Sequence, residues 1–394
     1  MQELVIIAAK RTPFGAFGGT LKSFSPTDLG VAASRAAIKQ SGIDPKEIDH
    51  VVFGNVVQST ADSIYCPRHI GLKSGVAEGV GALGLNRLCG SGFQAIATAA
   101  QMVMTGECQM ILAGGAESMS TIPYIVRGAR WGYRMGPGEL EDYMTAALTD
   151  AYAGAPMAIT AENLATKYGI TRQQVDEYSI LSQTRYKNAQ EKHFFDEEIS
   201  AVEVADKKGT INFNKDEHPR PETTMEGLAK LKPIFKKDGI VTAGGSSGIV
   251  DGAAAVLVTS LERAQKMGVK PLARIVGWAS VGCDPKTMGI GPAPATRKAL
   301  DKAGLRLSQM DLIEVNEAFA AQYLAVEKEL ELPRDKTNVN GGAIAIGHPL
   351  AASGTRITMH LIYELRRRKQ KFGLGAACIG GGQGIALILQ VYNS

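Results

Sequence analysis

The chain repeats one pattern of residues at a fixed distance along its sequence. Residues 37–49 contain AIKQSGI followed by KEID, and an apolar run begins at His50. Residues 299–311 contain ALDKAGL followed by SQMD, and a second apolar run begins at Leu312. Every position of the second copy follows its counterpart by 262 residues, without a gap. Both copies indicate a helix that ends at a glycine, then a short turn and a strand.

A second repeat occurs in the same order. LAGG at 112–115 corresponds to the ACIGG segment at 377–381, at nearly the same spacing as the first pair. Two such matches favour a duplicated α/β domain. We therefore predict a first half at 1–118 that is completed by 250–270, an inserted segment at 119–249, and a second half at 271–394.

Short apolar runs alternate with amphipathic segments along the chain, which predicts a layered α/β architecture. The predicted strands are 4–9, 50–55, 110–113, 273–280, 311–316, 375–379 and 385–391. The predicted helices are 26–40, 92–104, 173–190, 292–303, 317–329 and 353–369. Residues 207–237 carry many charges and few strand signals, so we expect an extended excursion over the surface there.

Charge, hydropathy and cysteine usage exclude several classes of protein. The net charge of +4 on 394 residues does not indicate a nucleic-acid-binding face. No 18-residue apolar run predicts a membrane span, and no secretory signal pattern is present. Cytoplasm is the expected location, with the mitochondrial matrix left open. The five cysteines lack CxxC spacing, so neither a metal cluster nor a disulfide framework is predicted.

Glycine is unusually frequent, and the glycines cluster where strands are predicted to meet helices. They number 45, about 11% of the chain against a usual value of about 7%. One cluster surrounds Cys89 in the segment 86–95, NRLCGSGFQA, at the start of a predicted helix. The positive end of the helix dipole would lower the thiol pKa there and make Cys89 a nucleophile. A buried cysteine at a tight turn is the alternative.

The same segment also fits a dinucleotide-binding pattern. Gly90, Gly92 and Ala95 match G-x-G-x-x-G/A, which is a weak signal by itself. The pattern requires an acidic residue about 20 positions later, at the end of the second strand of the unit. Glu117 lies 22 residues past Ala95 but after a Gly-Gly pair, so it fits that role poorly. The sequence therefore disfavours a nicotinamide cofactor.

Three other residues lie at comparable junctions. His348 lies in the Gly- and Ala-rich loop NGGAIAIGHPLAASG at 340–354. The small side chains around it leave the imidazole free to exchange protons near neutral pH. Cys378 ends a strand before three glycines, whose backbone N–H groups can hold an oxyanion. Asn316 closes a strand and opens a predicted helix, as an N-cap residue would. For His348 and Asn316, purely structural roles are the alternatives.

These residue types together favour one kind of chemistry. All four residues are predicted at strand-to-helix junctions or glycine turns, and sites in α/β folds gather at the carboxyl ends of strands. A cysteine with a histidine implies covalent acyl transfer. A second cysteine is unusual for a hydrolase and suggests a further proton transfer, to or from carbon.

With these motifs, the chain resembles the thiolases, in particular the acetyl-CoA acetyltransferase and 3-ketoacyl-CoA thiolase group. The resemblance covers essentially the whole chain and includes motifs around Cys89 and at 113–120, 316–320, 341–354 and 378–384. It implies a thiolase-like fold of two stacked βαβαβαββ halves in α-β-α-β-α layers, with a loop domain inserted from the first half. It also implies an acyltransferase of fatty acid metabolism, including β-oxidation.

The resemblance also assigns roles to individual residues. Cys89 would carry the acyl group, and His348 would activate it. Cys378 would give a proton to the departing acetyl-CoA carbanion, or remove that proton in synthesis. Asn316 would hold a water that forms one oxyanion hole together with His348. The backbone N–H groups of Cys89 and Gly380 would form the other.

By the same resemblance, the loop domain binds coenzyme A. Arg220 would face its phosphates and Ser247 its pantetheine. The residues that would line the pantetheine and acyl channel are Met157, Phe235, Met288, Ala318 and Phe319. Coenzyme A is then a substrate, and no metal or organic cofactor is expected. A homo-oligomer is implied, either a dimer or a tetramer built from dimers, and the aromatic- and Arg-containing segment 118–148 is a predicted contact.

Two rival functions are considered. A decarboxylating ketoacyl synthase on this fold would use Cys with two His, or with His and Asn, and the Cys378 motif argues against it. A non-catalytic, thiolase-like binding protein would be expected to lack Cys89 or His348, and this chain has both. Pro156, Gly227 and Gly245 depart from relatives that carry His, Ser and Asn there; these departures concern acyl-chain preference and leave the catalytic positions intact.

Overall fold

The computed structural model describes residues 2–206 and 209–392. Its strands are β1 (Leu4–Arg11), β2 (Gly15–Ala16), β3 (His50–Gly54), β4 (Gly81–Leu85), β5 (Met110–Ser118), β6 (Tyr124–Ile125), β7 (Glu141–Asp142), β8 (Thr149–Asp150), β9 (Ala155–Pro156), β10 (Val202–Asp206), β11 (Gly209–Phe213), β12 (Val250–Ser260), β13 (Ala273–Gly282), β14 (Leu312–Val315), β15 (Phe372–Ile379) and β16 (Gln383–Val391).

The helices have the following bounds: α1 (Pro26–Ser41), α2 (Cys66–Lys73), α3 (Ser91–Thr105), α4 (Tyr143–Ala147), α5 (Met157–Tyr168), α6 (Arg172–Glu191), α7 (Met225–Ala229), α8 (Leu261–Lys266), α9 (Pro292–Ala303), α10 (Ala320–Leu330), α11 (Ala343–Ile346) and α12 (Leu350–Arg368). Within the described ranges, none of them combines the length and hydropathy that a bilayer span requires.

The repeated pattern forms equivalent elements in the two halves. Helix α1 ends at Gly42, and α9 ends at Gly304, both in the left-handed conformation, with φ of 71° and 63°. Glycine adopts this conformation without the steric cost that a side chain adds. A short 3₁₀ turn follows each helix, and the chain then enters β3 in the first copy and β14 in the second.

The large sheet has the strand order β14-β15-β16-β13-β1-β12-β5-β3-β4, and β2 pairs with β12. Strands of the first half therefore lie at one end and strands of the second half at the other. The two sets join where Val5 and Ile6 of β1 pair with Arg274 and Ala273 of β13. Both sets mix parallel and antiparallel pairs: β3 is parallel to β5, whereas β12 is antiparallel to β1 and β5.

Alternation along the buried strands produces the layers. In β12, Val256 and Val258 belong to a core shared with α3 and α12, whereas Ala255 and Leu257 face a core shared with α1. Neighbouring side chains of a strand point to opposite faces, so each sheet set has helices on both sides.

The other half shows the same alternation. In β16, Leu387 and Leu389 join the core of α3 and α12, and Ala386 and Ile388 face α5, α9 and α10. Helices α3 and α12 therefore form a middle layer between the two sheet sets. The layered α/β fold expected from the sequence is confirmed.

Several local predictions were wrong. Strands β4 and β12 were missed, since their Gly- and Ala-rich sequences carry weak strand propensity and their pairing depends on tertiary contacts. The segment 207–237 was expected to be extended, yet β11 pairs with β10 there and α7 forms a helix. Residues 207 and 208 of that prediction lie outside the described residues.

Candidate active site

One cavity of about 580 Å³ has Cys89 and His348 in its wall. All seven residues expected to contact coenzyme A or the acyl chain also line this cavity, namely Met157, Arg220, Phe235, Ser247, Met288, Ala318 and Phe319. The structure thus gathers residues that are up to 259 positions apart in the sequence, from Cys89 to His348. Cys378 lies behind the wall, in a buried cluster with Met288 and Ala318.

Cys89 occupies a tight turn that is held from both sides. It lies in the 3₁₀ turn Leu88–Gly90, directly before α3. Leu88 has a backbone φ of 48°, in the left-handed region that residues other than glycine rarely adopt. Such a conformation costs about 1–3 kcal/mol and is typical of functional sites. The Asn86 side chain accepts the Leu88 N–H at 2.9 Å, and the Ser91 hydroxyl donates to the Leu88 carbonyl at 2.8 Å.

The expected lowering of the Cys89 pKa is wrong for the substrate-free protein. Cys89 is partly exposed to the cavity, but protein atoms surround the thiol, and this desolvation raises its pKa to about 11. The Gly380 backbone N–H donates a hydrogen bond to the thiol and opposes the shift, though it contributes less than burial does. Burial therefore outweighs the favourable position at the start of α3, and the resting thiol is neutral.

His348 is held as a neutral imidazole between Ser353 and Asn316. Its Nδ1 lies 2.5 Å from the Ser353 hydroxyl, which also contacts the Pro349 carbonyl at 3.3 Å. If Nδ1–H donates to Ser353, then Nε2 carries the lone pair, and the Asn316 amide lies 3.3 Å from Nε2. Burial, and then the positive charge of Arg356, lower the pKa of His348 to about 3. The ring is therefore unprotonated in the substrate-free protein.

Capping of a helix was the alternative interpretation of Asn316, and the structure rules it out. Helix α10 begins only at Ala320, with Phe319 at the cap position. Asn316 instead follows β14, and its N–H donates to the Ala376 carbonyl at 2.9 Å. Its side-chain Oδ1 is buried and has no hydrogen-bond partner among the described protein atoms. A buried acceptor of this kind is costly unless it binds a donor, which fits a residue that holds a water or a substrate group.

Cys378 and Gly380 lie where β15 turns into β16. Cys378 is fully buried, and its pKa is raised well above the ordinary value, first by burial and then by the nearby Cys89. The turn is closed by Gly381 and Gly382, which have φ of 78° and 81°. This conformation leaves the Gly380 N–H directed at Cys89, so a second thiol and a backbone donor lie beside the first thiol.

Two contributors to the site were missed by sequence reasoning. Ser353 fixes the His348 ring, but a serine five residues after a histidine in a Gly/Ala-rich segment carries no specific signal. His218 lines the cavity, and its Nδ1 lies 2.9 Å from the Ala345 carbonyl, in the other half of the chain. Only the folded structure brings these partners together.

The raised Cys89 pKa predicts a specific pH dependence. Below a pKa of about 11, the thiolate fraction rises about tenfold per pH unit. Since the thiolate is the reactive form, iodoacetamide should alkylate Cys89 about tenfold faster at pH 9 than at pH 8, in protein without substrate. Mass spectrometry of the Cys89 peptide measures this rate, with glutathione as the control thiol. A rate that levels off between pH 7 and pH 8 would instead indicate a stable thiolate.

Comparisons with known proteins match nearly the whole chain to one family. The thiolase N-terminal domain family matches residues 4–262, and the thiolase C-terminal domain family matches residues 269–391. The chain is 54% identical over 391 residues to the mitochondrial 3-ketoacyl-CoA thiolase of Bos taurus, covering 99% of this chain and 98% of that protein. It is 50% identical over 392 residues to the acetyl-CoA acetyltransferase of Pseudomonas aeruginosa, covering 99% of both.

A solved structure is similar over its whole length. The crystal structure of human mitochondrial 3-ketoacyl-CoA thiolase superposes with a TM-score of 0.98 at 53% identity, covering 99% of each chain. The same human protein in complex with CoA has a TM-score of 0.96, covering 99% of this chain and 98% of that one.

Proposed function

The chain belongs to the thiolase family, and we propose that Cys89 is the residue that carries the acyl group in its reaction. As a thiolase it is an acyltransferase, acting between 3-ketoacyl-CoA and coenzyme A in either direction. The observation that carries the residue assignment is the single cavity that holds the Cys89 thiol, with neutral His348 in the same wall and Cys378 directly behind it. Covalent catalysis needs such a nucleophile next to a base.

In the degradative direction, acylation of Cys89 breaks a carbon–carbon bond. The Cys89 sulfur attacks the 3-keto carbon while Nε2 of His348 takes the thiol proton. The bond between carbons 2 and 3 then breaks, which leaves the shortened acyl group on Cys89 and an acetyl-CoA carbanion. Cys378 gives its proton to that carbanion, and its raised pKa keeps it protonated and ready to do so. Coenzyme A then attacks the acyl-Cys89 thioester, and its thiol proton passes to the Cys378 thiolate. The bond between the acyl carbon and the Cys89 sulfur breaks, protonated His348 returns its proton to that sulfur, and the shortened acyl-CoA leaves.

The pKa shifts of Cys89 and His348 determine when the first proton moves. A thiol with a pKa of about 11 does not ionise in favour of an imidazole with a pKa of about 3. Proton transfer therefore accompanies the attack of sulfur on the carbonyl and does not precede it. A neutral resting pair also limits side reactions of the nucleophile.

Two groups of donors face the reacting carbonyls in this proposal. The backbone N–H groups of Cys89 and Gly380 stabilise the oxyanion on the acyl group that Cys89 carries, and the Gly380 N–H already contacts the thiol. Asn316 holds a water that, with protonated His348, stabilises the oxyanion of the acetyl-CoA part. The unpartnered Oδ1 of Asn316 and its amide contact with His348 support this assignment. Such oriented donors supply a large share of catalysis.

Coenzyme A occupies the outer part of the cavity in this proposal. The Arg220 side chain is exposed at the rim, where its guanidinium can pair with phosphates. Ser247 contacts the pantetheine, and its backbone N–H is tied to the Ala318 carbonyl at 3.0 Å, which joins the loop domain to the second half. We propose no metal and no organic cofactor. Coenzyme A is a substrate, as the CoA complex of the human relative supports.

Thiolytic cleavage of acetoacetyl-CoA tests the function. Purified protein with acetoacetyl-CoA and coenzyme A should consume the absorbance of the thioester enolate and form two acetyl-CoA. A decarboxylating synthase would instead release carbon dioxide from malonyl-CoA. A non-catalytic binding protein would bind acetoacetyl-CoA without turnover, and either of these results would contradict the proposal.

We also propose a homo-oligomer, a tetramer built from dimers, joined in part by the segment 118–148. Within this segment, Trp131 and Met135 are 87% and 91% exposed, and Tyr124 and Leu140 are exposed as well. Large apolar side chains clustered on one excursion are typical of contact surfaces. Light scattering at micromolar concentration should give about four times the chain mass of 41.8 kDa. Trp131→Ser with Met135→Ser should reduce it to a dimer.

A monomer mass for the unmodified protein would refute the proposed assembly. A tetramer that persists in the double variant would show that this segment does not join the dimers.

For the location of this chain, we propose the cytoplasm. The names of the similar mammalian thiolases give the mitochondrion as the location of those proteins. Fractionation of the source cells with an antibody to this chain tests the location.

A further inference from the structure

The carboxylate of Glu117 ties together three separate segments beside the site. Glu117 is fully buried near the end of β5. It accepts hydrogen bonds from the backbone N–H groups of Val56 at 3.1 Å and Val57 at 3.0 Å, in the loop after β3, and from the Asn55 amide at 3.2 Å. It also accepts the N–H of Ala351, in α12, at 3.1 Å. This last bond crosses from the first half of the chain to the second.

Helix α12 lacks a cap of its own. Its N-cap residue is Pro349, which provides no side-chain acceptor. The first N–H groups of a helix have no partner within the helix and need an acceptor from elsewhere. Glu117 supplies it for Ala351, so an acidic side chain also lies at the positive end of the helix dipole, where it is favourable. His348 lies three residues before Ala351, in the short connection that leads from α11 into α12.

The packing around this bond leaves little room for adjustment. A side chain at Gly115 would come within 1.9 Å of the Ala351 carbonyl oxygen, and one at Gly92 within 2.5 Å of the Thr355 backbone nitrogen. The start of α12 therefore lies directly against β5 and against the start of α3, which follows Cys89. Glu117 thus contacts α12 at the same end that packs against the start of α3.

Retaining a carboxylate in this place has a free-energy cost. Burial raises the pKa of Glu117 to about 7, although three backbone N–H groups partly offset the shift. The negative charge also contributes to the raised pKa of Cys89. A buried group that costs stability is typical of a position kept for function.

We propose that Glu117 is a positioning residue: by accepting the Ala351 N–H it holds the start of α12, and with it His348, at the distance from Cys89 that acyl transfer requires. The inference rests on the proposed roles of Cys89 and His348. It assigns a role to a residue that contacts neither substrate nor reacting atoms, and it makes the active site depend on a bond between the two halves. Misplacement of a catalytic group by about 1 Å can cost about 100-fold in rate.

Glu117→Gln tests this with the full-length protein. Both carboxylate oxygens of Glu117 accept N–H groups. The amide of glutamine has nearly the same size but carries an NH₂ group, which cannot accept, in place of one of these oxygens. Rapid quenching and mass spectrometry of Cys89 acetylation by acetyl-CoA give two quantities. The amplitude counts competent sites, and the rate constant reports their geometry. We expect the rate constant to fall about 10- to 100-fold, with the amplitude and the KM for acetyl-CoA nearly unchanged.

Two further variants make the test specific. Asp49→Asn is the matched control, because Asp49 also accepts two backbone N–H groups of β5 and its neighbour, at 2.7 and 3.0 Å, but at the opposite end of the strand. It should leave the rate constant within about threefold of normal, because the two N–H groups that Asp49 accepts belong to Gln109 and Met110 and not to α12. Glu117→Asp keeps the charge and shortens the reach, so it should show a lowered rate constant even if Glu117→Gln does not fold.

The outcomes separate this inference from the proposed function. If the unmodified protein does not acetylate Cys89, the proposed function fails first. If it does, and the Glu117 variants lower only the amplitude or the melting temperature while the rate constant stays normal, Glu117 is merely structural and the positioning role is overturned. A loss of rate constant in Asp49→Asn equal to that in Glu117→Gln would also overturn it.

Discussion

Replacing Cys89 with alanine is expected to abolish turnover in both directions. The other described cysteines are outside the cavity wall, so no alternative sulfur can receive the acyl group. Removal of the nucleophile from an enzyme that uses covalent catalysis commonly costs at least about 10⁴-fold in kcat. Steady-state thiolysis of acetoacetyl-CoA measures the loss. Cys89→Ser should be almost as inactive, since a neutral hydroxyl is a far poorer nucleophile than a thiol that His348 deprotonates during attack.

Cys108→Ala is the control for this prediction, because Cys108 is a buried cysteine between α3 and β5, at the far end of α3 from Cys89. It should keep normal rates. The decisive observation is the position of the acetyl group after treatment with acetyl-CoA. If mass spectrometry finds it on a residue other than Cys89, or if Cys89→Ala still turns over, the assignment of the nucleophile is wrong.

Replacing Cys378 with alanine should separate the two half-reactions. Acylation of Cys89 from a simple acyl-CoA requires no proton transfer at carbon, so it should continue at a near-normal rate. Claisen condensation and thiolysis do require that transfer and should fall by about 10²- to 10⁴-fold, which is the usual contribution of a general acid or base. The physical basis is the fully buried Cys378 thiol, which is protonated at neutral pH and lies beside Cys89.

Proton exchange isolates this step from all others. The α-protons of acetyl-CoA should exchange with deuterated water in the unmodified protein and should not do so measurably in Cys378→Ala. Cys283→Ala is a close control, because that thiol also lies near Cys378 but is not assigned a role. Normal exchange in Cys378→Ala would show that another group moves the proton.

The two predictions depend on a common electrostatic feature. Burial keeps both thiols protonated before substrate binds, and it keeps His348 neutral. A neutral site leaves Cys89 able to lose its proton at the moment of attack and Cys378 able to supply one after the carbon–carbon bond breaks. A thiolate–imidazolium pair at rest would fit only the first of these steps.

Much of the fold was predictable because its signals are local or repeated. The 262-residue repeat predicted equivalent elements, and Gly42 and Gly304 indeed end α1 and α9 in the same conformation. The helix predicted at 173–190 forms as α6, and its start is capped by Thr171 and Gln174. The predicted domain boundaries stay a prediction, although β12, at 250–260, does pair with β1 and β5 of the first half.

The candidate residues were likewise visible as residue types in glycine-rich junctions. Cys89, His348 and Cys378 each follow or precede a turn that leaves the backbone accessible, and such turns can be read from the sequence. Their ionisation states could not be read in the same way. The position of Cys89 before a helix predicted a lowered pKa, and burial by residues distant in the chain raised it instead.

The sequence by itself determined the repeated α/β pattern and the residue types that carry the chemistry, because helix ends, strand alternation and glycine turns depend on neighbours along the chain. The tertiary structure alone decided which of these residues meet and in what state of protonation. Asn316 contacts His348 instead of capping a helix, and Glu117 holds Ala351 from 234 residues away. The first contact joins two segments of the second half and the other joins the two halves, and no local pattern encodes the distance between separate segments.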